Sequence, residues 1–177
     1  MSIDTSKMSK EKAAALEIAE AGRDDLTKSF AGDIFVGNVD FKNIYPYPTQ
    51  TSKDRKAGNK FLLRLKNVFD KHVDSQWIDT QGEIPNHVFD KLTEIGAFCI
   101  KIPERYDGQG LSQTNYARAS IITGSQDGNI AALLSAHQSI GVPQPLLMYG
   151  TEEQKKKYLP RFAKGAISAF ALTEDDV

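Results

Sequence analysis

Residues 129–149 read NIAALLSAHQSIGVPQPLLMY, a stretch in which almost every side chain is small or apolar. A surface helix keeps one polar face, so a helix without one is expected to be buried among other helices. The break in it is expected around Gly141–Pro145, because proline lacks the amide donor and clashes with the preceding turn. His137 lies inside this segment beside Ser135 and Ser139. Its expected part is to anchor a polar network or line a pocket, since no carboxylate or serine elbow surrounds it to make it a catalytic base.

The flanking sequence supplies the surrounding helices. Phe61, Leu65, Val68, Phe69, His72 and Val73 recur at three and four residues, which predicts one helix over about 53–78. Pro85 suits the first turn of a second helix, with Ile84, Val88, Leu92 and Ile95 on one face and Gly96 as its stop. Ala97–Pro103 reads as extended and YDGQG as a glycine-rich turn; Ser112 then caps a third helix to about Gly124. Thr151–Gln154 is a capping box that opens a last helix, which Gly165 closes. About five helices result.

Two segments differ. Residues 9–21 are strong helix formers with a thin apolar face, and 29–51 form an irregular arm whose aromatic residues predict that it lies over other surface. At the other end, the apolar run Ala166–Leu172 passes into Thr173, Glu174, Asp175 and Asp176, as a strand entering a polar site would. A lone strand is unstable, so its sheet is expected beyond Val177. The expected division is an arm over 1–51, an all-α domain over 52–166, and the start of a β domain over 167–177.

Composition narrows the function. Among 177 residues, 22 Lys and Arg oppose 23 Asp and Glu, giving a net charge of −1. Nothing in that balance points to nucleic acid, whose binders carry clustered basic excess. A single cysteine, Cys99, makes no internal disulfide. The first residues lack an apolar core and carry early acidic residues, unlike secretory or transit leaders. No stretch reaches the ~18–20 apolar residues of a membrane span. The chain reads as soluble and cytoplasmic, with membrane association left open.

No metal constellation is present, because His72, His87 and His137 are far apart and no HExxH or CxxC occurs. DGQG at 107–110 lacks the spacing of a phosphate cradle and reads as a turn. Lys155, Lys156 and Lys157 read as the solvated face of a capped helix. Glu174, Asp175 and Asp176 alternate faces if extended, so they do not converge on an ion.

Four stretches, in order and spacing, resemble the acyl-CoA dehydrogenases: GAFCIKIPERYDGQGLSQTNYAR from Gly96, LLSAHQSIG, YGTEEQKKKYLPRFAKG and AFALTE. The AHQSIG segment and the arm DIFVGNVDFKNIYPYP are most similar to the very-long-chain branch. The resemblance covers roughly residues 29–177. It implies the N-terminal helical domain of a three-domain flavoprotein with bound FAD, a homodimer when complete. Phe170, Ala171, Leu172, Thr173 and Glu174 match the family's signature strand. By that match Leu172 and Thr173 hydrogen-bond the flavin ring and Phe170 packs near it. Leu133, Ala136 and Ile140 are implied to line a fatty-acyl tunnel.

The implied reaction is oxidation of long-chain acyl-CoA to trans-2-enoyl-CoA, with electrons leaving to an electron-transfer flavoprotein. The family's catalytic glutamate belongs to its C-terminal domain, so no catalytic residue is assigned here and this portion alone is expected to be inactive. Asp175 and Asp176 depart from the turn residues usual after the signature. Two alternatives stand beside the dehydrogenase: a non-catalytic helical domain that binds a protein partner, and a flavin oxidase or nitroalkane-oxidising enzyme of the same fold.

Overall fold

A computed structural model of the chain describes residues 9–10, 12–14, 16, 30–35, 37, 39–47 and 49–169. The chain divides into two units, Met1–Thr49 and Gln50–Val177. In the first, α1 spans Phe30–Phe35 and a single 3-10 turn spans Phe41–Asn43. Asp40 starts that turn by accepting the Lys42 N–H at 3.0 Å. The Phe30 and Phe41 rings meet with centroids 6.1 Å apart. Where the sequence predicts covered aromatic rings, Phe35, Phe41, Tyr45 and Tyr47 are exposed.

The second unit is mainly helical. It contains α2 (Ser52–His72), α3 (Ser75–Gln81), α4 (Asn86–Glu94), α5 (Gln113–Gln126), α6 (Gly128–Ser135), α7 (Pro143–Tyr149) and α8 (Glu152–Ala163). No strand occurs among the described residues. Ala166–Ala169 is therefore not a strand within the described part, and the rest of the expected strand lies outside it.

Helices α2, α3, α5, α6 and α8 each begin where a side chain accepts one of their first amides. Thr51 accepts the Asp54 N–H at 3.2 Å to open α2. The helix predicted to reach residue 78 is two helices, because Asp74 accepts the Trp77 N–H at 3.0 Å and starts α3. A capping carboxylate inside a periodic pattern ends one helix by beginning another. Asp127 repeats the device between α5 and α6, accepting the Ile130 N–H at 2.7 Å. Gly96, in the left-handed region at φ 76°, closes the turn after α4 as the sequence predicts.

The segment after Gly96 is not extended. Ala97–Cys99 is a 3-10 turn, and the chain folds back through Gln109 N–H to Cys99 O and Leu111 N–H to Ile100 O. The Gln138 side chain takes the place of a strand partner there. Its oxygen accepts the Ile100 N–H at 3.1 Å and its amide donates to Ala97 O at 2.9 Å.

Helix α2 packs on α4 and α5, and α5 on α6. Phe61, Leu65, Val88, Leu92, Phe98 and Ile130 fill the space between them, each burial contributing about 1.5–3 kcal/mol. A smaller cluster of Cys99, Ile102, Tyr106, Leu159 and Phe162 lies under α8. The predicted all-round burial of 129–149 is corrected: Ile130, Leu134, His137 and Gln138 are buried, whereas Ala132, Ala136, Ile140, Met148 and Tyr149 are exposed. An apolar composition does not say which side another element covers.

Polar groups lock α2 to α5. Asn115 is fully buried and donates to Asp54 Oδ1 at 2.8 Å and to Asp54 O at 3.0 Å. Its own oxygen accepts from Gln50 at 2.9 Å and Arg118 at 3.0 Å. Gln50 and Ser112 also donate to Asp54, holding its carboxyl below the usual range. Gly58 makes this approach possible, because a Cβ there would overlap the Asn115 side chain. Gly58→Ala is expected to destabilise the protein by about 1–3 kcal/mol, read as a lower urea midpoint at unchanged slope. An unchanged midpoint contradicts this packing.

Candidate functional site

The buried polar residues His137 and Gln138 and the half-buried Ser168 converge where α6 ends and the chain beyond α8 passes over it. From Ala136 to Ile140 the helix widens to a π-turn. It stops at Gly141, where a Cβ would overlap Ser168 Oγ and the His137 carbonyl. Pro143 opens α7, where its missing amide costs nothing. The capping box of α8 is present, with Gln154 N–H on Thr151 Oγ1 at 3.2 Å and Thr151 N–H on Gln154 Oε1 at 2.9 Å. Gly165, at φ 91°, then turns the chain back toward α6.

His137 is fully buried, edge-on to the rings of Phe98 and Phe162, with centroids at 5.6 and 5.1 Å. The Ser168 amide donates to its Nδ1 at 3.0 Å. Because an amide only donates, Nδ1 is an acceptor, and the ring proton resides on Nε2. That nitrogen lies 2.9 Å from the Phe98 carbonyl and donates to it. Ser168 Oγ accepts the Val142 N–H at 3.0 Å. It stands 2.9 Å from Nδ1, whose single lone pair already takes the amide, and 3.4 Å from the His137 carbonyl, which accepts its proton. Burial pushes the imidazole below its usual range, and the Phe98 carbonyl only partly offsets this. The group anchors a polar network, as the sequence predicts, and burial favours its neutral form.

Beside this anchor two apolar clefts open on a shared ridge of Val142 and Leu146. One, of about 500 Å³, runs between α7, α8 and residues 166–169, past Tyr158, Phe162 and Ile167. The other, of about 440 Å³, is bordered by Ile140, Pro145 and Tyr149. Ala169 borders both. The polar groups at the first cleft include Gln154, Ser168 and Arg161. Arg161 and Lys157 each lie 5.2 Å from the centre of the Tyr158 ring.

Of the residues implied for the acyl tunnel, Leu133 is half-buried against the core, while Ala136 and Ile140 are exposed. Ile140 borders a cleft; the π-turn between Leu133 and Ile140 rotates the row that regular helical spacing would have aligned. Phe170, Leu172 and Thr173 lie outside the described residues. Sequence reasoning missed Gln138 and Ser168. Ser168 is a lone polar residue in an apolar run, and Gln138 lies in a short polar group with His137 and Ser139; those mismatches with the apolar surroundings were the only available signal. No group of three or more His, Cys, Asp or Glu among the described residues could hold a metal ion. No described helix is long and apolar enough to cross a membrane.

Residues 59–166 match the family model described as acyl-CoA dehydrogenase, N-terminal domain. The probable acyl-CoA dehydrogenase FadE10 of Mycobacterium tuberculosis is 42% identical over 166 residues, 94% of this chain and 25% of that protein. The mitochondrial very long-chain specific acyl-CoA dehydrogenase of Mus musculus is 38% identical over 150 residues, 84% of this chain and 23% of that protein. The chain thus spans about a quarter of the length of the curated relatives it matches.

Two solved chains are similar in fold. One comes from work on the electron transferring flavoprotein of Acidaminococcus fermentans and flavin-based electron bifurcation. It has a TM-score of 0.55 and 28% identity over 66% of this chain and 30% of that one. The other is the prolyl acyl carrier protein oxidase AnaB, with a TM-score of 0.52 and 30% identity over 67% of this chain and 32% of that one.

A histidine whose folded pKa lies below its unfolded value leaves the unfolded state binding the extra proton. Stability is therefore expected to fall as pH drops below about 6.5, the ordinary imidazole value. Urea melts of His137→Asn should lack this decline between about pH 7 and pH 5.5; an equal decline in the variant contradicts the assignment. Burial also pushes the Cys99 thiol up to about 11. A thiol reagent should label Cys99 only in denaturant, and rapid labelling of the folded protein would show the buried position to be wrong.

Proposed function

Because the chain belongs to the acyl-CoA dehydrogenase family, whose N-terminal domain it carries, we propose that it forms the helical part of an FAD-dependent dehydrogenase. Its substrate class is long-chain fatty acyl-CoA, oxidised to the trans-2-enoyl-CoA. The observation that carries this reading is the match over residues 59–166. The similarity to a very long-chain specific enzyme supports the chain-length class.

The chain's own part is binding and orientation. The two apolar clefts flanking Val142 and Leu146 suit a long hydrocarbon or the face of a flat ring, since burying either removes apolar surface from water. Ala169, on the border of both, is followed directly by Phe170, and then by Leu172 and Thr173, to which the reading gives the flavin ring's hydrogen bonds. Residues 167–177 are then the start of the middle β domain. Leu133, Ala136 and Ile140 belong to the acyl side. When bound, FAD supplies the acceptor for the β-hydride, and a carboxylate elsewhere in the protein takes the α-proton. The reading includes a homodimer, a cytoplasmic location and an electron-transfer flavoprotein as acceptor, the last supported by the solved neighbour from that system.

A flavin oxidase is the second reading, favoured by the likeness to AnaB. One experiment separates the two. Under anaerobic conditions a long-chain acyl-CoA is expected to bleach the visible flavin band of the native protein, with slow recovery in air and fast recovery with electron-transfer flavoprotein. Fast recovery in air with hydrogen peroxide formed selects the oxidase. A colourless protein that takes up no FAD contradicts both.

A further inference from the structure

We infer that His137 is a positioning residue that fixes where the chain leaves the helical bundle, and thereby where the segment after Ala169 can lie. The part concerning cofactor placement rests on the flavoenzyme reading above.

Three elements meet at this one ring. Nε2–H donates to the carbonyl of Phe98, in the rigid turn after Gly96. Nδ1 receives the amide of Ser168, in the outgoing segment. Ser168 in turn receives the amide of Val142 between the π-turn and α7. The outgoing segment has no strand or helix of its own to hold it, so these bonds fix its path. Ser168 is only half-buried and Ile167 and Ala169 are exposed, so apolar burial cannot substitute for them.

Thr173 lies five residues after Ser168, and a fully extended chain of that length reaches roughly 17 Å. Anchoring Ser168 therefore sets the point from which the segment proposed to meet the flavin departs. The groups facing His137 are the Phe98 carbonyl, the Ser168 amide and hydroxyl, and the Phe98 and Phe162 rings. Among the described residues none of these is charged, so the anchor works by hydrogen-bond direction.

Two substitutions separate the two ring nitrogens. In His137→Asn the side-chain oxygen falls near the place of Nδ1 and can still accept the Ser168 amide, but the bond to Phe98 is lost. In His137→Gln the amide reaches the place of Nε2 and can still donate to Phe98, but the Ser168 acceptor is lost. Each loses one buried hydrogen bond, so a merely structural role predicts similar behaviour from both.

The experiment measures amide hydrogen exchange at Ser168 and FAD affinity in the flavin-loaded protein that carries this chain. For His137→Gln the expected result is Ser168 exchange faster by roughly tenfold or more, the worth of one hydrogen bond, and FAD bound weaker by about as much. For His137→Asn both should stay within about threefold of the wild type. Equal exchange in the two variants overturns the inference. Faster Ser168 exchange with unchanged FAD affinity overturns the link to the cofactor.

Should neither histidine variant fold, Ser168→Ala decides. It should speed exchange at the Val142 amide by roughly tenfold and weaken FAD binding, and no change in either overturns the anchor. A wild-type protein that binds no FAD refutes the proposed function instead, and the exchange pattern then judges the anchor by itself.

Discussion

An imidazole shut between two aromatic rings, with no carboxylate against it among the described residues, is favoured in its neutral form, and a neutral imidazole has one donor and one acceptor. His137 spends the donor on Phe98 and the acceptor on Ser168. The turn after Gly96, the end of α6 and the chain beyond α8 are thereby tied to a single planar group. Gly141 has no room for a side chain because this junction is so close. The clefts beside it take their shape from the same constraint, since Val142 and Ala169 border both and flank the anchored Ser168.

The rest of the bundle follows one pattern at several places. Apolar burial along α2, α4, α5 and α6 supplies most of the folding free energy, but it is not directional. Direction comes from buried polar side chains that stand in for missing backbone partners. Gln138 does this for Ala97 and Ile100, and Asn115 does it between α2 and α5. A buried polar group without its partner costs about 1–3 kcal/mol, so each of these residues penalises any other register of the helices it joins.

Much of this was legible in the residues. The stripe from Phe61 to Phe69, the stop at Gly96, the cap at Ser112 and the box at Thr151 are local, and local physics decided them. The division of the 53–78 pattern was not legible, because one capping carboxylate at Asp74 outweighed an apolar period that continued past it. The turn at Ala97–Cys99 was misread as extended because its hydrogen-bond partner, Gln138, lies 38 residues away. The covered side of 129–149 was misjudged for a related reason: periodicity shows which residues share a face, not what lies opposite. Within the site, His137 stood out as a polar residue in an apolar helix, whereas Ser168 had only its polarity in an apolar run to mark it.

For function, family membership and geometry point the same way. The helical domain offers apolar clefts bordered by Ala169, and it holds the adjoining Ser168 with a hydrogen-bonded anchor. Nitrogen-resolved NMR of the His137 ring at neutral pH tests this most directly. The account predicts a protonated Nε2 and an unprotonated, hydrogen-bond-accepting Nδ1, which takes up a second proton only at a lower pH than an ordinary imidazole does, because burial pushes the ring's pKa down. A proton on Nδ1, or a doubly protonated ring, at neutral pH would contradict it.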